Sequence, residues 1–268
     1  MSVVEVNCGT SPVILAFPHT GTDVPPDIAA RLNAEGQVLR DTDWHIHRLY
    51  EGLLADATTV RAAFHRYCID ANRDPSGTSL YPGQNTTGLI PITNFDGASI
   101  WCEGKAPDEA EISVRIARFH APYHAALCAE IDRVKALHGV AILYDCHSIR
   151  SAIPFLFEGR LPDFNIGTDG GVTCDPVIER AAVETCTATK GYTSILNGRF
   201  RGGWTVRHYG RPEAGVHAIQ MELAQVSHLA TEAPPFDLDR GRAQALRELL
   251  RTLLRRIEAS AHSLGKPA

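Results

Sequence analysis

Several short apolar runs in this chain end in polar residues, and longer stretches with helical spacing separate them. That alternation constrains the fold most, because strands alternating with helices pack best as a sheet with helices on both faces. The first run, Pro12 to Pro18, is a short buried strand stopped by Pro18, whose nitrogen cannot join a ladder. Val140 to Tyr144 forms a strand leading into Asp145-Cys146-His147, and His217 to Leu223 forms a late one. The spacing predicts helices over 43–56, 108–137 and 175–189. It also predicts a last amphipathic helix with Leu246, Leu249, Leu250, Leu253, Leu254 and Ile257 on one face. Asp108 and Glu109 suit the first turn of the long helix, where acids meet the positive end of the dipole. Pro122 is expected to kink or split that helix, and Gly139 to end it. Residues 59–70 read as extended. Residues 73–107, with many Gly, Pro, Asn, Ser and Thr, read as a long irregular segment of the kind that usually serves function. The expected architecture is one α/β domain over residues 1–268.

Composition narrows the function. With 44% hydrophobic and 21% charged residues, the chain is neither disordered nor a coiled coil. No run approaches the ~20 apolar residues of a membrane helix. The first residues lack the basic start and apolar run of a signal peptide, so a cytoplasmic protein is expected. A net charge of -5 offers no general attraction for nucleic acid or an anionic membrane. An anionic ligand would have to be held by local arginines. Arginines make up twenty-two of the 26 basic residues, so an arginine alone says little. Seven cysteines, an odd number without a C-x-x-C, fit scattered reduced thiols.

In sheets of this class ligands bind beyond the carboxyl ends of the strands. His19 follows the first strand, His147 follows a central one, and Glu222 lies near the end of the late one. A carboxylate in so apolar a strand needs a partner. Two histidines and an acid at strand ends can converge on one point, and imidazole and carboxylate are common ligands of catalytic zinc. Asp145 can orient a neighbouring histidine from behind. Asp41 and Asp43 open a helix, where either can cap it or supply a ligand beside His19. His45 and His47 are two apart and share no helix face, which suits supporting roles. Arg73 heads the long loop and can fork onto a carboxylate or pair with Asp70 or Asp74; Arg66 lies just upstream. Gly202-Gly203, among Arg199, Arg201 and Arg207, suits either an exposed turn or an anion-binding loop.

Six short motifs appear in order: Pro18-His19-Thr20-Gly21, Thr42-Asp43-Trp44, Asp70-Ala71-Asn72-Arg73-Asp74, Asp145-Cys146-His147-Ser148, Gly202-Gly203 with Arg207-His208-Tyr209-Gly210, and Gln220-Met221-Glu222-Leu223. Over roughly residues 11–258 the chain resembles the N-formylglutamate amidohydrolase family, relatives of the zinc carboxypeptidases and of aspartoacylase-like deacylases. The resemblance implies a mixed, mainly parallel sheet of about eight strands between helices. It implies a metal site in which His19 and His147 match the two histidine ligands. Relatives often place a Glu three residues after the first histidine, where this chain has Thr22; the acid is therefore assigned to Asp43, with Asp23 and Asp41 as alternatives. Glu222 matches a general base, Arg66 a group that polarises the scissile carbonyl, and Asn72 with Arg73 a holder of the substrate carboxylate. Arg207 with Gly202 and Gly203 looks like a second anchor. The implied reaction converts N-formyl-L-glutamate and water to formate and L-glutamate, in histidine degradation. Zn²⁺ is the implied metal, with Co²⁺, Mn²⁺ or Fe²⁺ compatible with the same ligands. The partner is a small N-acyl amino acid, and the chain would act as a monomer or homodimer. Three other readings compete: a metal-dependent amidase for another N-acyl amino acid or peptide, a Cys146 nucleophile with a histidine base, and a non-catalytic amino-acid-binding protein.

Overall fold

Seven strands form one sheet among the residues described, 2–79, 83 and 85–264, of this computed structural model. They are β1 (Val4–Asn7), β2 (Val13–Phe17), β3 (Thr58–Ala62), β4 (Ala141–Ile149), β5 (Phe164–Gly167), β6 (Ser194–Leu196) and β7 (Val216–Ala224), in the spatial order β1-β3-β2-β4-β7-β5-β6. Four neighbouring pairs are parallel, while β1·β3 and β5·β7 are antiparallel. The mixed, mainly parallel character follows the expectation; the strand number is seven rather than about eight. The described residues of the 73–107 segment add no strand to the sheet, only isolated bridges such as Thr93 to Ser99. Residues 80–82 and 84 of that segment lie outside the described residues.

The helices are α1 (Pro26–Ala29), α2 (Ala34–Gln37), α3 (Ile46–Tyr50), α4 (Glu109–Arg115), α5 (Ala121–His138), α6 (Pro176–Ala188), α7 (Trp204–Tyr209) and α8 (Arg240–Leu264). None among the described residues is long and apolar enough to cross a membrane.

Every residue of β4 and β7 is buried, so both sheet faces need cover. Side chains alternate between two cores. Ile142, Tyr144, Cys146, Ile219 and Met221 meet α3, α6 and α8 on one face. Leu143 and Ala218 meet Tyr123, Leu127 and Ile131 of α5 on the other. The six residues foreseen as the apolar stripe of α8 are all buried, each contributing about 1.5–3 kcal/mol of burial.

Two expected elements differ in extent. The 43–56 helix shrinks to Ile46–Tyr50, because His45 takes a left-handed backbone conformation and Glu51 an extended one. Leu49, Leu53 and Leu54 are all buried, but Leu53 and Leu54 lie beyond the helix. The 59–70 strand ends at Ala62, after which the chain turns, with Cys68 N–H donating to His65 C=O. Its aromatic residues fill the core from that turn. The long helix is split beside Pro122, as foreseen, into α4 and α5. A five-residue π turn, Ile116–His120, precedes α5, so the residue without an N–H falls at a shift in hydrogen-bond register. Gly139 ends α5 in the left-handed conformation, as foreseen.

Candidate active site and metal centre

Parallel pairing assembles the site. β2, β4 and β7 run side by side in one direction, so their carboxyl ends share one edge. The register sets Asp145 beside Gln220 and His147 beside Glu222, and paired residues point to the same face. That face is the one Leu143 and Ala218 present to α5. It is apolar where the helix covers it and polar beyond. His19 lies two residues past β2, and the Asp43 N–H donates to its carbonyl at 3.0 Å, which draws the Asp41–Trp44 turn against the strand end. His19, Asp43, His147 and Glu222 are all buried.

Each histidine ring is held from behind by a carboxylate. His19 Nε2–H donates to Asp70 Oδ1 at 2.7 Å, and His147 Nε2–H to Asp145 Oδ2 at 2.8 Å. Those bonds turn both Nδ1 atoms toward each other and toward Asp43. The two Nδ1 atoms are 3.2 Å apart, and Asp43 Oδ2 lies 3.2 Å from that of His147 and 3.8 Å from that of His19. Three acceptor atoms so close need a positive charge among them, a proton or a metal ion. Burial disfavours an imidazolium, yet Asp145 and Asp43 together push the His147 pKa well above its ordinary value. Ligands about 2.0–2.1 Å from a tetrahedral metal stand roughly 3.3 Å apart, so the donor set fits such an ion. His19, Asp43 and His147 are the group that can hold one among the described residues. Asp23 is exposed, and Asp41 accepts from Tyr67 Oη at 2.9 Å and Phe95 N–H at 3.0 Å.

Arg66 borders this group. Its Nη2 donates to Asp70 Oδ2 at 2.7 Å, its Nη1 lies 3.9 Å from Asp43 Oδ1, and its guanidinium stacks on Phe95. Burial opposes ionisation of Asp70, but Arg66, His19 and Arg73 hold its carboxyl well below the usual range. Glu222 lacks so close a cation, and burial pushes its pKa up to about 8. A carboxylate poised near neutrality suits proton transfer.

A cleft opens above these groups, lined also by Asn72, Arg73, Phe95, Gly203 and Gln220, and on its outer side by Asn85, Thr86, Thr87, Arg199 and Phe200. Asn72 is fixed by the Thr205 N–H donating to its Oδ1 at 2.8 Å. Arg73 lies 3.8 Å from Asp70 and donates from Nε to Thr87 C=O. The glycine pair makes its close approach to neighbouring side chains. A Cβ on Gly203 would lie 2.3 Å from Asn72 Nδ2, and its N–H donates to Gln220 Oε1 at 2.7 Å. Gly202 and Arg207 do not line the cleft. Arg207 lies on α7, its Nε donating to Gly202 C=O and its Nη2 3.1 Å from Asp169, while Arg199 of the same segment reaches the cleft. Sequence reasoning gave Gln220 no role, read Asp70 only as a partner for Arg73, and named Arg199 only among the arginines around the glycine pair; the structure puts Gln220 and Arg199 in the cleft lining and Asp70 behind His19. Stepping two residues back from Glu222 along a strand would have found Gln220.

Cys146 points the opposite way, into the core under α3 and α8, and burial raises its thiol pKa well above the ordinary value. A nucleophile needs the reverse on both counts. Cys146→Ala is expected to keep kcat within about twofold, since it removes only a small buried group; loss of turnover with metal still bound would return the thiol to the mechanism.

A family model described as N-formylglutamate amidohydrolase matches residues 11–229. A Pseudomonas aeruginosa protein named N-formylglutamate deformylase is 44% identical over 256 residues, which is 94% of this chain and 96% of that one. A Pseudomonas putida protein of the same name is 41% identical over 258 residues, 96% of each chain. Among solved structures, an N-formylglutamate amidohydrolase from Ralstonia eutropha JMP134 matches with a TM-score of 0.78 at 23% identity, covering 98% of this chain and 99% of that one. A gene product of Agrobacterium tumefaciens matches with a TM-score of 0.73 at 19% identity, covering 98% and 97%. These two structures bear on the fold.

Proposed function

This chain belongs to the N-formylglutamate amidohydrolase family, and from that premise we propose that it hydrolyses N-formyl-L-glutamate to formate and L-glutamate, as a step of histidine degradation, with Zn²⁺ held by His19, Asp43 and His147. The observation that carries the metal is the triangle of buried Nδ1 and Oδ2 atoms 3.2–3.8 Å on a side. A divalent cation there supplies Lewis acidity, which makes water a nucleophile near neutral pH.

The chain's own groups do the rest. Glu222, on the strand beside His147, takes the proton of the attacking water and returns it to the departing amine nitrogen. The C–N bond of the formamide breaks as the new C–O bond forms. Arg66 stays charged, because Asp70, Asp43 and Asp41 outweigh the burial that opposes its charge. It faces the developing oxyanion, where one well-placed donor contributes about 3 kcal/mol. The formyl group offers little surface, so recognition falls to the glutamate part and its two carboxylates. Asn72 and Arg73 take one. Arg199, which lines the cleft, takes the other, and Arg207 braces the glycine turn through the Gly202 carbonyl.

Arg73→Ala is therefore expected to raise KM by about 10–100-fold, the loss of a charge-assisted bond, with kcat changed far less. A wild-type KM would move the carboxylate elsewhere. The reading as a whole is tested by formate release from N-formyl-L-glutamate against a panel of N-formyl and N-acetyl amino acids. Faster turnover of another N-acyl compound would favour the broader amidase, and binding without turnover would favour a binding protein.

A further inference from the structure

Two histidines outside the metal site hold the segment that carries Asn72 and Arg73. Ala71–Arg73 lies in a buried loop with no ladder partner, so its carbonyls must find donors elsewhere. His124 Nε2 donates to the Ala71 carbonyl at 2.8 Å and His120 Nε2 to that of Arg73 at 3.0 Å, while Arg73 Nη1 closes onto the carbonyl between them at 3.0 Å. His120 closes the π turn and His124 follows in the first turn of α5, so the two rings stand together, centroids 4.3 Å apart. π turns recur at functional positions. The Ala71 carbonyl can only accept, which puts the His124 ring proton on Nε2, and Tyr209 Oη lies 3.0 Å from Nδ1 and 3.3 Å from the His124 carbonyl. Trp204, which starts α7 just after Gly203, packs edge-on against His124. Both histidines are buried, and burial lowers their pKa values, that of His124 to about 3, so each is a neutral donor near pH 7.

We propose that His120 and His124 are positioning residues: they fix the backbone that aims Arg73 and Asn72 into the cleft, and so set the affinity for the substrate carboxylate without touching the substrate. The proposal rests on the reading of Asn72 and Arg73 as the carboxylate holder. Its test is steady-state kinetics of the metal-loaded enzyme on N-formyl-L-glutamate, with L-glutamate as product inhibitor and metal content measured alongside. His120→Phe and His124→Phe keep a flat ring but lose the donor. Each is expected to raise KM and the inhibition constant together by about tenfold, with kcat within about threefold and metal retained. His120→Gln and His124→Gln, whose amide N–H reaches as far as Nε2, are expected to bring KM back to within about threefold of wild type. Where a Phe variant does not fold, the Gln and Asn pair decides, because Asn keeps the amide but falls short of the carbonyl and is expected to raise KM. Equal KM in the donor-bearing and donor-free variants, at any level, overturns the proposal. An unchanged KM in Arg73→Ala removes the underlying reading and the proposal with it. A raised KM there beside wild-type values in the histidine variants removes the proposal alone.

Discussion

Glu222→Gln is expected to lower kcat by about 10³, with KM nearly unchanged and bound metal retained. The amide has the shape of the carboxyl group and keeps an oxygen for the Gln220 Nε2, which lies 3.3 Å from Glu222 Oε2. It cannot accept and return a proton. Thermal stability should hold, since the amide fills the same buried space and brings no unpaired charge into it. The loss of rate would then belong to chemistry rather than to folding. Glu222→Ala separates the two further, because it removes the proton carrier and also the packing around Gln220. Turnover of Glu222→Gln within tenfold of wild type would take Glu222 out of the reaction.

Glu222 was visible in the sequence because a charge stands out in an apolar strand. The same holds for His147 and for Asp145 two residues earlier, where period-2 alternation puts both on one face. The central strands and α8 were equally legible, since burial on both faces or on one stripe leaves a strong periodic mark. Asp70 was harder to place. It was read as the end of a strand, whereas the chain turns after Ala62, and only that turn brings its carboxylate under His19. Arg207 was read as the second anchor from a segment that holds three similar arginines, Arg199, Arg201 and Arg207. The six-residue α7 turns Arg207 back onto Gly202 and Asp169. So short a helix, beginning straight after two glycines, leaves no period to read. The acid of the metal group remained open among Asp23, Asp41 and Asp43 for a related reason. A backbone bond from Asp43 N–H to the His19 carbonyl, 24 residues apart in sequence, selects between them in space.

His147→Ala is expected to reduce bound metal from about one ion per chain to below about a tenth after dialysis, and to lower kcat by at least about 10³. Three protein donors would hold the ion, so removing one takes away a third of its anchoring and the aim of the remaining two. The carboxylate behind the ring grades the effect. Asp145→Asn keeps His147 but weakens the charge that orients its Nε2–H, and a loss of about 10–100-fold in metal affinity is expected, with activity restored by excess metal. His147→Ala should not be rescued in that way. Asp43→Asn completes the series. Its neutral amide leaves His19 and His147 in place but removes the negative donor, so metal affinity should fall between the other two variants. A chelator should silence the wild-type enzyme and Zn²⁺ restore it. Full metal occupancy in His147→Ala, or full activity in the chelated enzyme, would place the centre elsewhere and leave the three close-set acceptor atoms to be held together by a proton on His147 instead.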